Sequence, residues 1–380
     1  MGFLKKITLI IFILFLAGCG KSLMKFGMKP DPNPYVMFGK NPSRDFFVPV
    51  DVSDSVKLLW EQSAYGSFPN SSVSIYNEYV FINDLAGRVF AYNIESGKQA
   101  GMLKYKGAVY STPLLYQSKI IFPSVQEKDH ITELVFYDYS DGKEIDVDEI
   151  EGKILSEMIA LEKSFIFLTD DGTVYKYGIQ NRKLWETSTN KRTHGSPSLK
   201  DGKIIFGNDY GEVIALDANN GDSVYVMKFE GIFNGAPSID QNTFYISNDN
   251  GKIYSIKLDD GSLNWVFDTG ARILMTPAFD NMNLIVGNLA GELFSLNKST
   301  GKLNWKTSYG GIFNATPLLT NNRIIIPDSF LAYYFIDKSN GKVVKKIPLD
   351  GRARLTPVYF NNVLFLGYDN GNLRAYEFVQ

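Results

Sequence analysis

From residue 56 onward the chain alternates short apolar runs with turn residues. Across 276–305 the order is Thr276, Pro277, Ala278, Phe279; a turn at Asp280 and Asn281; the run Leu284, Ile285, Val286; and a turn closing at Gly291. Then come Glu292, Leu293, Phe294, Ser295, Leu296, a second turn closing at Gly301, and Leu303, Asn304, Trp305. Short runs rich in β-branched and aromatic residues, bounded by Asn, Asp or Gly, read as strands. The unit is predicted to be four antiparallel strands.

The same frame recurs. A proline after Thr, Ser or Ala stands at Pro113, Pro197, Pro237, Pro277, Pro317 and Pro357, the last five forty residues apart. Glycines paired ten apart follow it: Gly87 with Gly97, Gly211 with Gly221, Gly251 with Gly261, Gly291 with Gly301. They suit the positive φ of tight hairpin turns. The seventh unit has Leu331 before Gly341. Inner strands starting at Val73, Pro113, about Met158 and the five regular prolines make eight units. The third has lost its proline but keeps Phe165, Ile166, Phe167, Leu168 and Val174, Tyr175, Lys176, Tyr177. Extra length in the second is placed at 125–130, where a charged loop replaces a tight turn.

The eighth unit has three strands, and an isolated Leu58, Leu59, Trp60, Glu61, Gln62, Ser63 echoes Lys183, Leu184, Trp185, Glu186, Thr187, Ser188 at the end of unit three. The N-terminal strand is therefore predicted to complete the last unit and close a ring. A repeat near forty residues with short strands is the signature of a propeller. The expected fold is all-β: an eight-bladed β-propeller of four-stranded antiparallel blades over 56–380.

Ala215, Leu216, Asp217 with Gly221, and Ser295, Leu296, Asn297 with Gly301 and Trp305, resemble the tryptophan-docking repeat of quinoprotein-like (PQQ-like) eight-bladed propellers. The resemblance implies that each Trp packs on the glycine turn of a neighbouring blade. Trp60, Trp185, Trp265 and Trp305 match that position, and Gly101, Asp146, Tyr225 and Lys345 occupy it elsewhere.

Ahead of the repeats, Lys5 and Lys6 precede an apolar run over 7–16 and then Leu16, Ala17, Gly18, Cys19. Residues 1–18 read as a signal peptide. The small residues before Cys19 resemble the lipobox of bacterial lipoproteins, which implies cleavage before Cys19 and its lipidation. More than one acyl chain holds stably to a membrane where a single one is marginal. Gly20 in place of Asp resembles the outer-membrane sorting pattern. Residues 19–55, with Pro30, Pro32, Pro34, Pro42 and Pro49 and no periodicity, read as lipid anchor and tether. Cys19 is the single cysteine, so the exported domain has no disulfide, and a net charge of −2 gives no pull toward nucleic acid.

Lipobox, proline-bearing tether and eight blades together resemble the BamB-type lipoproteins of the outer-membrane β-barrel assembly machinery. That implies lipid anchorage at the periplasmic face of the outer membrane. It implies as partners the periplasmic domains of the barrel insertase in the Bam complex, with unfolded outer-membrane proteins as candidate clients. In the family, contact falls on two neighbouring connections, here 189–196 and 230–236. The family's arginine five residues before the proline is matched by Arg192; its flanking leucines are Thr189 and Lys191 here, and its two acidic residues Ile232 and Asn234.

His194, Phe233, Asn234, Arg272, Phe313, Asn314, Arg352 and Arg354 share this phase and should converge on one face around the central funnel. Arg and large aromatics are common interface anchors. Phe233 and Phe313 either take that role or cap the core.

Catalytic chemistry is sparse. The quinone site implied by enzymes of this superfamily is a sandwich between a Trp and a disulfide of adjacent cysteines, with a calcium alongside. Cys19 alone cannot build it. His130 and His194 lie in different units without metal-ligand spacing. Acidic turns such as Asp170, Asp171, Gly172 lack the ligand spacing of an EF-hand. No phosphate loop or nucleophile elbow occurs. No catalytic residue, cofactor or metal is expected, and the function read from the chain is a non-enzymatic scaffold. A small-ligand- or sugar-binding propeller using the funnel and a quinone-dependent dehydrogenase remain as alternatives.

Overall fold

The computed structural model describes residues 23–27, 29–64, 66–369 and 371–379. The signal peptide and Cys19 lie outside them. The described residues form eight four-stranded antiparallel sheets arranged as a propeller. Strands are lettered a to d from the centre outward. In blade 4 they are Ser198–Lys200, Lys203–Gly207, Glu212–Asp217 and Ser223–Lys228. Blades 1 to 3 and 5 to 8 begin strand a at Ser74, Leu114, Ile159, Ser238, Ala278, Leu318 and Val358, each one residue after its predicted start. Blade 8 takes its outer strand from Val56–Ser63, antiparallel to Asn372–Phe378 with Trp60 opposite Ala375, so the ring closes as the Trp60 segment predicts.

Burial explains the sequence pattern. Strands b and c are covered on both faces by neighbouring blades, so they read as unbroken apolar runs such as Ile204, Ile205, Phe206. Strand d alternates, because one of its faces meets solvent. The core is a set of wedges between blades: Phe165 and Phe167 of blade 3 share a cluster with Ile204 and Phe206 of blade 4.

The tryptophans sit at these wedges. Trp265 covers Gly301 so closely that a Cβ there would lie 2.6 Å from the indole, and Trp305 covers Gly341 likewise. In three of them Nε1 donates to the carbonyl three residues before the docked glycine: Trp60 to Ile94 at 2.7 Å, Trp265 to Lys298 at 3.1 Å, Trp305 to Lys338 at 3.0 Å. Tyr225 substitutes at blade 4, its hydroxyl donating to Leu258 O at 2.9 Å. At Trp185 the matching carbonyl, of Ala218, is taken by Lys176 Nζ at 2.7 Å, and the indole N–H has no partner among the described residues.

The residue before each proline also has a physical role. Around the channel, a backbone N–H of one blade donates to the side chain of the next: Ser72 to Thr112 Oγ1, Ala236 to Thr276 Oγ1, Thr276 to Thr316 Oγ1. Blade 3, without the proline, puts Glu157 in this ring. Its carboxylate accepts from Thr112 N at 2.8 Å and Thr112 Oγ1 at 3.1 Å.

Two expectations change. The segment read as a tether is, from Leu23 on, packed on the ring. Strand a leaves one edge facing the channel, and carbonyls of this strap satisfy its N–H groups. Ile75 N donates to Tyr35 O, Leu115 N to Val36 O, Leu199 N to Pro42 O, Ile239 N to Ser43 O, Phe279 N to Asp45 O and Leu319 N to Phe46 O. An unpaired buried edge would otherwise be costly. Arg44, fully buried, donates to Glu157 O and Met158 O of blade 3. The strap thus passes six blades through their backbones and blade 3 through Arg44, then becomes the outer strand of blade 8. The second change is at 125–130: Val125 and Gln126 extend strand b of blade 2, Lys119–Gln126, and only 127–130 form the turn.

Candidate functional site

Strand order places two sets of connections on one face, here called the rim: the loops entering strand a and the b–c turns. The a–b and c–d turns, with the strap, form the opposite, hairpin face. Each rim loop is pinned by the same bond. The N–H of Asp209, Asp249, Leu289, Ser329 and Asp369 donates to the carbonyl of Arg192, Ile232, Arg272, Ile312 and Arg352 respectively. With the backbone held, three successive side chains have three fates.

The middle one turns inward. Thr193, Phe233, Ile273, Phe313 and Ala353 are all buried, and Phe233 lies so close over Gly207 that a Cβ there would meet it at 2.3 Å. The preceding residue points outward: Arg192, Arg272 and Arg352 have side chains 66%, 62% and 64% exposed. The following residue lines the funnel: His194, Asn234, Leu274 and Asn314 surround a cavity of about 240 Å³ with Asn70, Tyr110 and Glu157, floored by Phe38 of the strap.

Charge on the rim is paired within this frame. Asp209 receives Arg192 at 3.5 Å and His194 Nδ1 at 2.8 Å. Asp369 receives Arg354 at 3.2 Å and Arg352 at 3.8 Å, and Asp249 receives Arg272 at 3.9 Å. Exposed pairs of this geometry are worth little for stability. At these distances Arg192, Arg272 and Arg352 stay close to a carboxylate while their guanidinium groups remain largely exposed. Deeper in the funnel, burial pushes the Glu157 carboxyl up to about 7 against the opposing pull of Arg44.

Of the residues named from sequence, Arg192, His194, Asn234 and Arg272 come together on the rim and funnel. Ile232 is half-buried, its N–H bound to Asp249 Oδ1 at 2.6 Å. Phe233 belongs to the core, and with Phe313 takes the capping role. His130 stands apart at the blade 2 turn, 3.7 Å from Asp170. Glu157 and the strap's Phe38 were missed. A signal existed for the strap: Tyr35, Val36, Met37, Phe38 and Phe46, Phe47, Val48 are too apolar for a solvated linker.

The fold and this rim define a class: an eight-bladed propeller with a closed ring, a strap along the inner strand edges and a loop face carrying exposed arginines. The family model for outer membrane protein assembly factor BamB matches residues 170–308 and 268–377, together more than half of the chain. The chain belongs to the BamB family. The crystal structure of BamB from Moraxella catarrhalis superposes with a TM-score of 0.73 at 15% identity, covering 85% of this chain and all (100%) of that one. A quinohemoprotein alcohol dehydrogenase from Pseudomonas putida HK5 gives 0.73 at 10% identity, covering 92% of this chain and 80% of that one. The computationally designed protein Ika8 gives 0.73 at 12%, covering 85% and 100%. Among curated proteins none matches. An assembly factor, an enzyme and a design share this architecture, so likeness to solved structures speaks for the fold alone and function must be argued from the site.

Proposed function

We propose that the protein is a non-enzymatic, lipid-anchored scaffold of the outer-membrane β-barrel assembly machinery, held at the periplasmic face of the outer membrane by Cys19. Its rim binds the periplasmic domains of the barrel insertase. The observation that carries this reading, beyond membership of the family, is the division of labour in the rim loops. The middle residue serves the core, and its neighbours Arg192, His194, Asn234 and Arg272 are presented on one face. Arg192 and Arg272 keep guanidinium groups that are more than half exposed, beside Asp209 and Asp249, so their N–H donors can meet a partner's carboxylates. The test is co-purification of an Arg192→Glu variant with the insertase from solubilised envelope. Loss of the insertase with an unchanged melting temperature supports the reading, and normal co-purification sinks it.

The funnel favours a second reading. Its amides Asn70, Asn234 and Asn314, with Tyr110, Glu157 and His194, suit a small polar ligand such as a sugar. Calorimetry against cell-wall saccharides that shows no heat of binding removes it.

A further inference from the structure

At the junction of blades 1 and 2 the docking position is Gly101, in strand d of blade 1, Gln99–Lys104. The slot is filled by the strap. Met24 is fully buried there and makes an antiparallel bridge to Gly101. A Cβ on residue 101 would lie 2.6 Å from Met24 Cα, so any side chain at 101 excludes the docked strap. Tyr137 fixes Met24 from both sides, its hydroxyl donating to Met24 O at 3.0 Å and accepting from Met24 N at 3.3 Å. Phe26 stacks between Tyr79 and Tyr139, with centroids at 4.0 and 4.8 Å. Leu23 and Lys25 rest on the Gly142 turn of blade 2. The chain therefore leaves the ring at Leu23, 57% exposed, on the outer edge of blades 1 and 2 and on the hairpin face.

We propose that this edge lies against the lipid bilayer, held there because Met24 docked on Gly101 shortens the leash from Cys19 to four residues. The inference rests on the anchor reading above. Four residues reach at most about 14 Å, whereas the whole stretch to residue 55 would have let the ring wander. The rim is on the opposite face, so its arginines are directed away from the lipid. The leash fixes orientation as well as concentration.

The test uses the full lipidated chain on phosphatidylethanolamine and phosphatidylglycerol vesicles carrying a spin-labelled lipid. A fluorophore is placed by Lys143→Cys on the blade 2 turn, by Ser299→Cys on the matching turn of blade 6, or by Tyr210→Cys on the rim. Quenching at 143 is expected to exceed that at 299 and 210 several-fold. Gly101→Trp supplies the ring with an ordinary docking residue and evicts Met24, so the difference should collapse while circular dichroism still reports the folded ring. Met24→Asp serves the same end should the Trp variant fail to fold. Equal quenching at all three sites in the vesicle-bound native chain overturns the proposal while leaving the anchor intact. A difference that survives both evictions also overturns it. A chain that does not partition to the vesicles overturns the anchor reading and this proposal together.

Discussion

On the rim, each connection is held by bonds from its adjacent blades, and two of every three side chains in the pinned stretch are free of architectural duty. On the hairpin face one segment, 29–55, runs past the blades in turn, and Tyr35, Val36, Met37 and every residue from Pro42 to Phe46 hydrogen-bond to the ring. Substitutions on the rim should therefore cost little stability. Substitutions under the strap should change stability first. The division also explains why repeats that agree so closely in their strands disagree at 192, 232, 272, 312 and 352, which are Arg, Ile, Arg, Ile and Arg.

The sharpest break with that contrast would come from the wedges. Trp305→Ala should cost on the order of 3–5 kcal/mol in urea unfolding, and a loss below 1 kcal/mol would mean that docking on Gly341 carries no weight. Next is the funnel ring. The folded Glu157 carboxyl titrates near 7 because of burial, above the ordinary 4.5 of the unfolded chain. Between those values the folded state keeps a proton the unfolded state has lost, so stability falls as pH rises through that window and is flat above it. Glu157→Gln, which retains hydrogen bonding to Thr112, should remove up to about 3 kcal/mol of that slope. Parallel pH curves for the two proteins would show that Glu157 is ionised throughout.

Smaller effects sharpen the picture. Met24→Ala should cost about 2 kcal/mol and open residues 23–34 to proteolysis, as removal of a buried Met side chain does elsewhere. Trp305→Phe should cost about 1 kcal/mol more than Trp185→Phe, because only Trp305 loses a hydrogen bond. Arg192→Glu and Arg272→Glu should fall within about 0.5 kcal/mol of the parent. A larger loss at either would place the arginine in the architecture and erase the contrast between the faces.

The ring itself was legible in sequence, since strands b and c are buried on both sides and their apolar runs repeat with the turns. Closure by Trp60 was legible because the eighth unit supplies three strands and residues 58–63 repeat the outer-strand sequence at 183–188. The strap was not, because its hydrogen bonds are made by backbone carbonyls and its side chains follow no period. Nor was the place of Glu157: a carboxylate where six of the other seven blades put a hydroxyl is visible only once blade 3, lacking its proline, is aligned in space. The exposed place of Arg192 on the rim was legible because its phase is shared. Phe233 lies in the equivalent loop of the next blade, one residue on in phase, where the pinned backbone turns it into the core.

The assignment of function to the rim is tested most directly by photo-crosslinking in intact envelope. A crosslinking amino acid is placed at 192 or 272 on the rim, and at 219 or 299 on the hairpin face. Capture of the insertase from 192 and 272, and none from 219 and 299, is the expected result. Capture from the hairpin positions with a silent rim would contradict it.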